Sequence, residues 1–78
     1  MRKEIVILHR ANEKRDFKIL DKETKKEIGF ILETADGLGF ELYPNFKVPQ
    51  NYEFPQTARS SMEALAIFNK YYQLTLNM

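Results

Sequence analysis

The chain has 78 residues, of which 44% are hydrophobic and 29% charged, and this length and balance predict one small globular domain spanning residues 1–78. It contains no cysteine, which excludes disulfides, thiolate nucleophiles and cysteine-based metal sites. The net charge of +1 excludes a strongly acidic mimic of nucleic acid, and no apolar run approaches the roughly 20 residues of a membrane-spanning helix.

The first part of the chain predicts two strands. EIVILHR, residues 4–10, is rich in branched apolar residues that follow one another, which favours a well-covered strand. Its apolar patch at 5–8 is shorter than the about 7–15 apolar residues of a signal peptide, so we interpret it as a strand. DFKILD, residues 16–21, alternates and places Phe17 and Ile19 on one face of a second strand.

Two further strands follow, at residues 27–34 and 38–43, separated by the turn signal Asp36 and Gly37. Their alternation predicts one core-facing set of side chains, which comprises Ile28, Phe30 and Leu32 on the third strand and Leu38, Phe40 and Leu42 on the fourth. The short polar connections indicate that consecutive strands are antiparallel neighbours.

The last segment predicts a helix over residues 60–72. Ser60 and Glu63 have the spacing of a capping box, in which the serine oxygen accepts from the Glu63 N–H and the glutamate accepts from the Ser60 N–H. One apolar stripe comprises Ser61, Ala64, Leu65, Phe68 and Tyr72. We expect residues 74–78 to fray or to add an edge strand.

These elements predict an α+β fold: a small two-layer domain in which an antiparallel β-meander of about four strands packs against one C-terminal helix, in the order β-β-β-β-α.

Residues able to perform catalysis are few and scattered. His9 is the single histidine and could act as a general base in a small hydrolase or nuclease, but we interpret it as a surface or half-buried residue. No serine lies in a nucleophile elbow. Glu33 and Glu41 are expected to face each other away from the helix, as solvated strand residues also do. No segment has the spacing of a calcium loop or a zinc site. We therefore expect a protein that is not an enzyme, with no catalytic residue, metal or cofactor.

The segment PNFKVPQNYEFPQT, residues 44–57, holds all three prolines of the chain and predicts a stiff, extended crossing from the sheet to the helix. Its rings either fill the end of the core or form an aromatic patch that docks on a partner. We expect a mixture of buried and exposed rings. The candidate protein-binding residues are Phe46, Tyr52 and Phe54.

The first third of the chain is mildly basic. Residues 1–27 carry nine Lys or Arg against six Asp or Glu, while the remainder carries three against five. Such cations could contact phosphates, although the interleaved acids dilute the positive charge. The candidate nucleic-acid-binding residues are Lys14, Arg15, Lys25 and Lys26.

The function that these patterns favour is a non-catalytic interaction module. We expect it to bind a protein, using the 44–57 segment and a free edge or face of the sheet, either with a different partner or as a homodimer. The alternative is a nucleic-acid-binding module that uses the basic N-terminal half. This build suits an accessory, regulatory or inhibitor protein of a phage or bacterium that works in the cytoplasm, away from membranes.

Overall fold

The computed structural model describes residues 4–10 and 16–77. The described part forms one antiparallel sheet, in the order β1-β2-β3-β4-β5, and one C-terminal helix that packs on it. The elements are β1 Val6–Arg10, β2 Phe17–Asp21, β3 Glu27–Glu33, β4 Phe40–Pro44, β5 Thr57–Ala58 and α1 Ser61–Leu76. The predicted α+β fold, with a meander followed by a helix, is confirmed, and one short strand is added to it.

The added strand, β5, lies next to β4. Ala58 pairs with Phe40 and Thr57 with Glu41, and the close approach depends on Gly39. A Cβ at Gly39 would lie 2.6 Å from the Ala58 carbonyl oxygen, so a larger residue would push β5 away. A strand of two residues is too short for any alternation to show in the sequence, which is why it was not predicted.

The core lies between the sheet and α1. Of the described residues, nine hydrophobic ones are buried there: Val6, Ile19, Ile28, Ile31, Phe40, Leu42, Ala58, Ala64 and Phe68. Phe68 and Phe40 are the largest of them and are almost fully buried. Because burying apolar surface is the main stabilising contribution in folding, these side chains hold the helix on the sheet.

The prediction that Phe30 and Leu32 face the core is wrong. Phe30 is 37% exposed on the side of the sheet away from α1, and Leu32 lies on that side as well. The pairing passes from Ile19–Gly29 directly to Leu20–Glu27, so that Ile28 is the extra residue of a β-bulge. The bulge interrupts the alternation, so Ile28 stays buried while Gly29 and Ile31 face the helix.

Two other face predictions are wrong for simpler reasons. Leu38 lies at the turn before β4 and is 78% exposed, so it takes no part in the core. Glu33 pairs with Phe40, whereas Glu41 pairs with Leu32. Since neighbouring residues of a strand point to opposite faces, the two glutamates lie on opposite sides of the sheet and do not face each other.

The helix begins with the predicted serine cap. Ser60 Oγ accepts from the Glu63 N–H at 3.1 Å, but Glu63 Oε2 accepts from the Arg59 N–H at 3.0 Å rather than from that of Ser60. The helix continues to Leu76. Residues 74–76 are therefore helical, and the prediction that this segment frays or adds an edge strand is wrong for them. Within the described residues, no helix is both long and apolar enough to cross a membrane.

Candidate functional site

The side of the sheet opposite α1, which we call the outer face, carries one row of four side chains across four strands. The strand register aligns His9, Lys18, Phe30 and Tyr43 on β1 to β4. Across residues 4–10 and 16–77, no helix or second sheet packs on this face. The row is therefore open to solvent or to a partner.

Two aromatic rings stand at the centre of the outer face. Phe30 and Tyr43 are cross-strand neighbours, and their rings are stacked with centroids 4.9 Å apart and planes 16° apart. They are 37% and 39% exposed, respectively. Aromatic cross-strand pairs stabilise a sheet by about 0.2–1 kcal/mol, so the pair is held in place before any partner arrives.

Aliphatic side chains extend the apolar surface on both sides of the stacked pair. Ile7 pairs with Leu20 next to the row on one side, and Leu32 lies on the other side, across from Glu41. All three aliphatic residues are only half-buried although no element covers them. These apolar side chains, which we call the apolar strip, thus run from β1 to β4 and are interrupted by the ion pair between Lys18 and Glu27.

The charges on the outer face are few and nearly balanced. Lys18 Nζ lies 3.5 Å from Glu27 Oε1, and both side chains are about half exposed, at 50% and 41%. Glu41, on β4, adds a second carboxylate. Among the described strand residues of this face, one lysine stands against two glutamates, so these charges do not favour a polyanion.

The sequence did not single out Phe30 or Tyr43 as binding residues. Simple alternation predicts Phe30 in the core, and Tyr43 is only the last residue of the fourth predicted strand, outside the candidate binding segment. The signal that could have corrected this is Gly29, because a glycine inside a strand often marks a bulge or a close approach of another group.

The rings of the 44–57 segment are divided as expected between the core and the surface. Phe46 and Phe54 lie against the core, with centroids 6.3 Å and 5.1 Å from the Phe68 ring. Tyr52 is 47% exposed and touches the edge of Tyr71. Of the three candidate protein-binding residues, Tyr52 thus presents its ring most openly.

Hydrogen bonds fix the same segment against the helix, within its own turn and against β3. The Tyr71 hydroxyl donates to the Glu53 carbonyl at 2.9 Å, and the Tyr52 N–H donates to the Pro49 carbonyl at 3.0 Å within the tight turn. Asn45 N–H donates to the Ile28 carbonyl at 2.8 Å, which fixes the start of the segment against β3. We call residues 44–57 the strap, because they fasten the end of the sheet to α1.

Of the four candidate nucleic-acid-binding residues, the structure describes two. Lys14 and Arg15 lie outside the described residues. Lys25 and Lys26 are exposed in the turn between β2 and β3, where Lys25 has a positive φ of 63° and its Nζ donates to the Lys22 carbonyl. The turn is fixed by Asp21, whose Oδ1 accepts from the N–H groups of Glu23 and Thr24.

The described residues bring no catalytic constellation together. His9 is exposed on the outer face, next to Lys18. Among residues 4–10 and 16–77, no three His, Asp or Glu side chains lie close enough together to hold a metal ion.

Comparison of the chain with protein-family models, curated proteins and solved structures gives no match.

Proposed function

We propose that this protein is a non-catalytic module that binds another protein through the outer face of its sheet. The single observation that carries the proposal is the stacked pair Phe30–Tyr43, which stands exposed in the middle of that face. The chain contains no cysteine, which suits a reducing compartment. We propose that the protein works in the cytoplasm of a bacterium or a phage-infected cell.

The exposed aromatic pair has the character of a contact surface. Contiguous apolar patches on a monomer mark interaction surfaces, and aromatic side chains supply much of the energy at the centre of protein interfaces. The rings of Phe30 and Tyr43 are held by each other and by the sheet, so little side-chain freedom is lost when a partner docks. The outer face thus has the properties of a preorganised contact surface.

The charges of the outer face indicate the kind of partner. Lys18 is already paired with Glu27, and Glu41 remains beside the apolar strip. A complementary partner therefore presents an apolar patch flanked by a basic side chain that reaches Glu41. A protein surface meets this description better than a nucleic acid, whose phosphates would meet the two carboxylates.

The test is affinity capture with three baits in lysate of the organism that encodes the chain. The wild type is compared with the double variant Phe30→Thr with Tyr43→Thr, which keeps residues favoured in strands, and with Tyr52→Ser on the strap. We expect one protein to be retained by the wild type and by Tyr52→Ser but lost with the double variant. Loss with Tyr52→Ser alone would assign binding to the strap instead.

Nucleic-acid binding is the second candidate, and the exposed Lys25 and Lys26 in the β2–β3 turn favour it. Titration with labelled duplex DNA, single-stranded DNA and RNA at low and physiological salt tests this candidate. Tight binding with a steep salt dependence that weakens in Lys25→Gln with Lys26→Gln would support it. We expect no binding at physiological salt, because acids such as Asp21 and Glu23 lie in the same turn.

A further inference from the structure

Strand β1 is an edge of the sheet. It pairs with β2 on one side, and no strand of the described residues pairs with it on the other. An edge strand presents a row of backbone donors and acceptors that can bind another strand, and proteins commonly shorten, charge or cover such edges. β1 has an apolar sequence, VILHR, with charge only near its end.

The hydrogen bonds identify which residues point outward from this edge. The Lys22 N–H donates to the Ile5 carbonyl at 2.8 Å, so Ile5 directs its carbonyl toward the β2 side. Successive residues of an antiparallel ladder point alternately to one neighbour and the other. Val6, Leu8 and Arg10 therefore direct their N–H and C=O groups away from β2, toward the free side.

The side chains on the helix side of this edge are arranged symmetrically. Glu4, Val6, Leu8 and Arg10 alternate along the strand in the order acidic, aliphatic, aliphatic, basic. When the same strand is turned through 180° about Ile7, the glutamate lies opposite the arginine and the valine opposite the leucine. Two copies of this edge, placed antiparallel, therefore match each other in charge, in apolar side chains and in the direction of their backbone hydrogen-bonding groups.

We propose that two copies of this chain pair through β1, antiparallel, about a two-fold axis at Ile7. The pairing joins two five-stranded sheets into one continuous ten-stranded sheet. Each copy places its exposed Glu4 across from Arg10 of the other, so the charge pair occurs twice. Because the same surface is used by both copies, the contact closes on itself and stops at a dimer.

A groove beside β1 fits this arrangement. Its lining includes Val6 and three residues on one stripe of α1, namely Met62, Leu65 and Ala66, and its volume is about 220 Å³. This is below the roughly 300–1,000 Å³ of typical small-molecule sites, so it suits a side chain rather than a cofactor. The Asn69 Oδ1 accepts from the Ile5 N–H at 2.8 Å and keeps the helix at a fixed distance from the edge.

The dimer does not depend on the proposed function, since β1 pairing uses the edge of the sheet and not its outer face. It places the outer faces of two copies side by side on one continuous sheet, with Ile7 of each copy near the axis. A partner with two equivalent patches could then contact both stacked pairs Phe30–Tyr43 at once.

The test is the mass of the full-length chain in sedimentation equilibrium over a concentration series. We expect the wild type to reach twice the 9.2 kDa of one chain. Glu4→Arg and Arg10→Glu, each alone, place like charges opposite each other and should weaken association about tenfold or more. An equimolar mixture of the two variants restores opposite charges in a heterodimer and should return to the doubled mass.

Four outcomes would overturn the proposal. The wild type could remain at the mass of one chain, the single variants could associate as well as the wild type, the mixture could fail to associate, or the dimer could be broken by Phe30→Thr with Tyr43→Thr instead. A synthetic chain with a methyl group on the backbone nitrogen of Leu8 provides a second test. It removes one outward donor without changing a side chain, and we expect a folded monomer by circular dichroism and sedimentation.

Discussion

Gly29 is the residue on which the contact between α1 and the sheet depends most directly. A Cβ at this position would lie 2.4 Å from Phe68 Cε1 and 2.8 Å from the Tyr43 carbonyl oxygen, distances at which something must shift. The bulge at Ile28 and this missing side chain together let the Phe68 ring reach the sheet. They also direct Phe30 to the outer face.

Replacing Gly29 with alanine should therefore destabilise the fold. Overpacking of a well-filled core costs about 1–3 kcal/mol, and we expect a loss of free energy of unfolding in this range. The measurement is urea denaturation followed by circular dichroism. Gly37→Asn serves as the control, because nothing lies near a Cβ there and asparagine tolerates its positive φ of 72°. An equal loss in both variants would contradict the account.

The hydrogen bond between Tyr72 and Asp21 ties the C-terminal half of the helix to the end of β2. The Tyr72 hydroxyl donates to Asp21 Oδ2 at 2.7 Å. Burial first, and then the hydrogen bond and charge of Asp21, raise the pKa of Tyr72 from 10.0 to about 12. The Thr24 N–H first, and then the Tyr72 hydroxyl, lower the pKa of Asp21 below 3.8.

These pKa shifts predict how stability changes with pH. The folded state favours neutral Tyr72, so its contribution is complete below pH 10 and is lost as the pH rises toward 12. Tyr72→Phe should remove this loss, so the stability difference between wild type and variant should shrink between pH 10 and pH 12. Urea denaturation of both proteins over this range measures it. Parallel pH profiles would show that Tyr72 does not titrate as described.

The strap owes its conformation to both proline and aromatic side chains. Phe46, Phe54, Phe68, Tyr71 and Tyr72 form a cluster of edge-to-face rings in which the strap residues contact the helix residues at centroid distances of 5.1–6.3 Å. Such pairs stabilise a fold beyond their burial alone. The strap is thus a part of the core for two of its rings and a surface for the third.

Serine substitutions should separate the two roles of the strap. Phe54→Ser removes a half-buried ring that contacts Phe68 and Tyr71, and we expect it to cost about 2–3 kcal/mol, somewhat less than for a fully buried ring. Tyr52→Ser, at an exposed ring, should change the free energy of unfolding by less than about 1 kcal/mol. Thermal and urea denaturation of the two variants give the comparison. Similar losses in both would mean that Tyr52 is also part of the core.

Strands β1 to β4 and the helix could be predicted from the sequence because each has a local signal, which the two residues of β5 lack. Alternation predicts β2 and β4, the Asp36–Gly37 turn predicts the connection between β3 and β4, and Ser60 with Glu63 predicts the start of α1. These signals depend only on neighbouring residues. They do not depend on how the layers pack.

The outer face could not be predicted in the same way. Its composition depends on the bulge at Ile28, next to which Gly29 accommodates the Phe68 ring, a contact between residues distant in sequence. Strict alternation therefore placed Phe30 in the core. The binding hypothesis followed the most unusual segment, the strap, whereas the stacked and exposed aromatic pair lies on the sheet.

As a whole, residues 4–10 and 16–77 form a sheet with one covered and one open face. The covered face holds nine buried hydrophobic residues of this described part and two of the strap rings, which stabilise the fold without disulfides. The open face spans four strands and centres on Phe30 and Tyr43. A domain of this size exposes a large share of its surface, so a partner that covers the outer face would stabilise it further.

The most direct measurement of the central claim is site-specific photo-crosslinking in the organism that encodes the chain. A photoreactive phenylalanine analogue replaces Tyr43 on the outer face or, as the matched control, Lys70, which is exposed on the helix. We expect one discrete protein adduct from position 43 and none from position 70, as resolved by mass spectrometry. Equal adducts from both positions, or an adduct with nucleic acid at 43, would contradict the proposal that the outer face binds a protein.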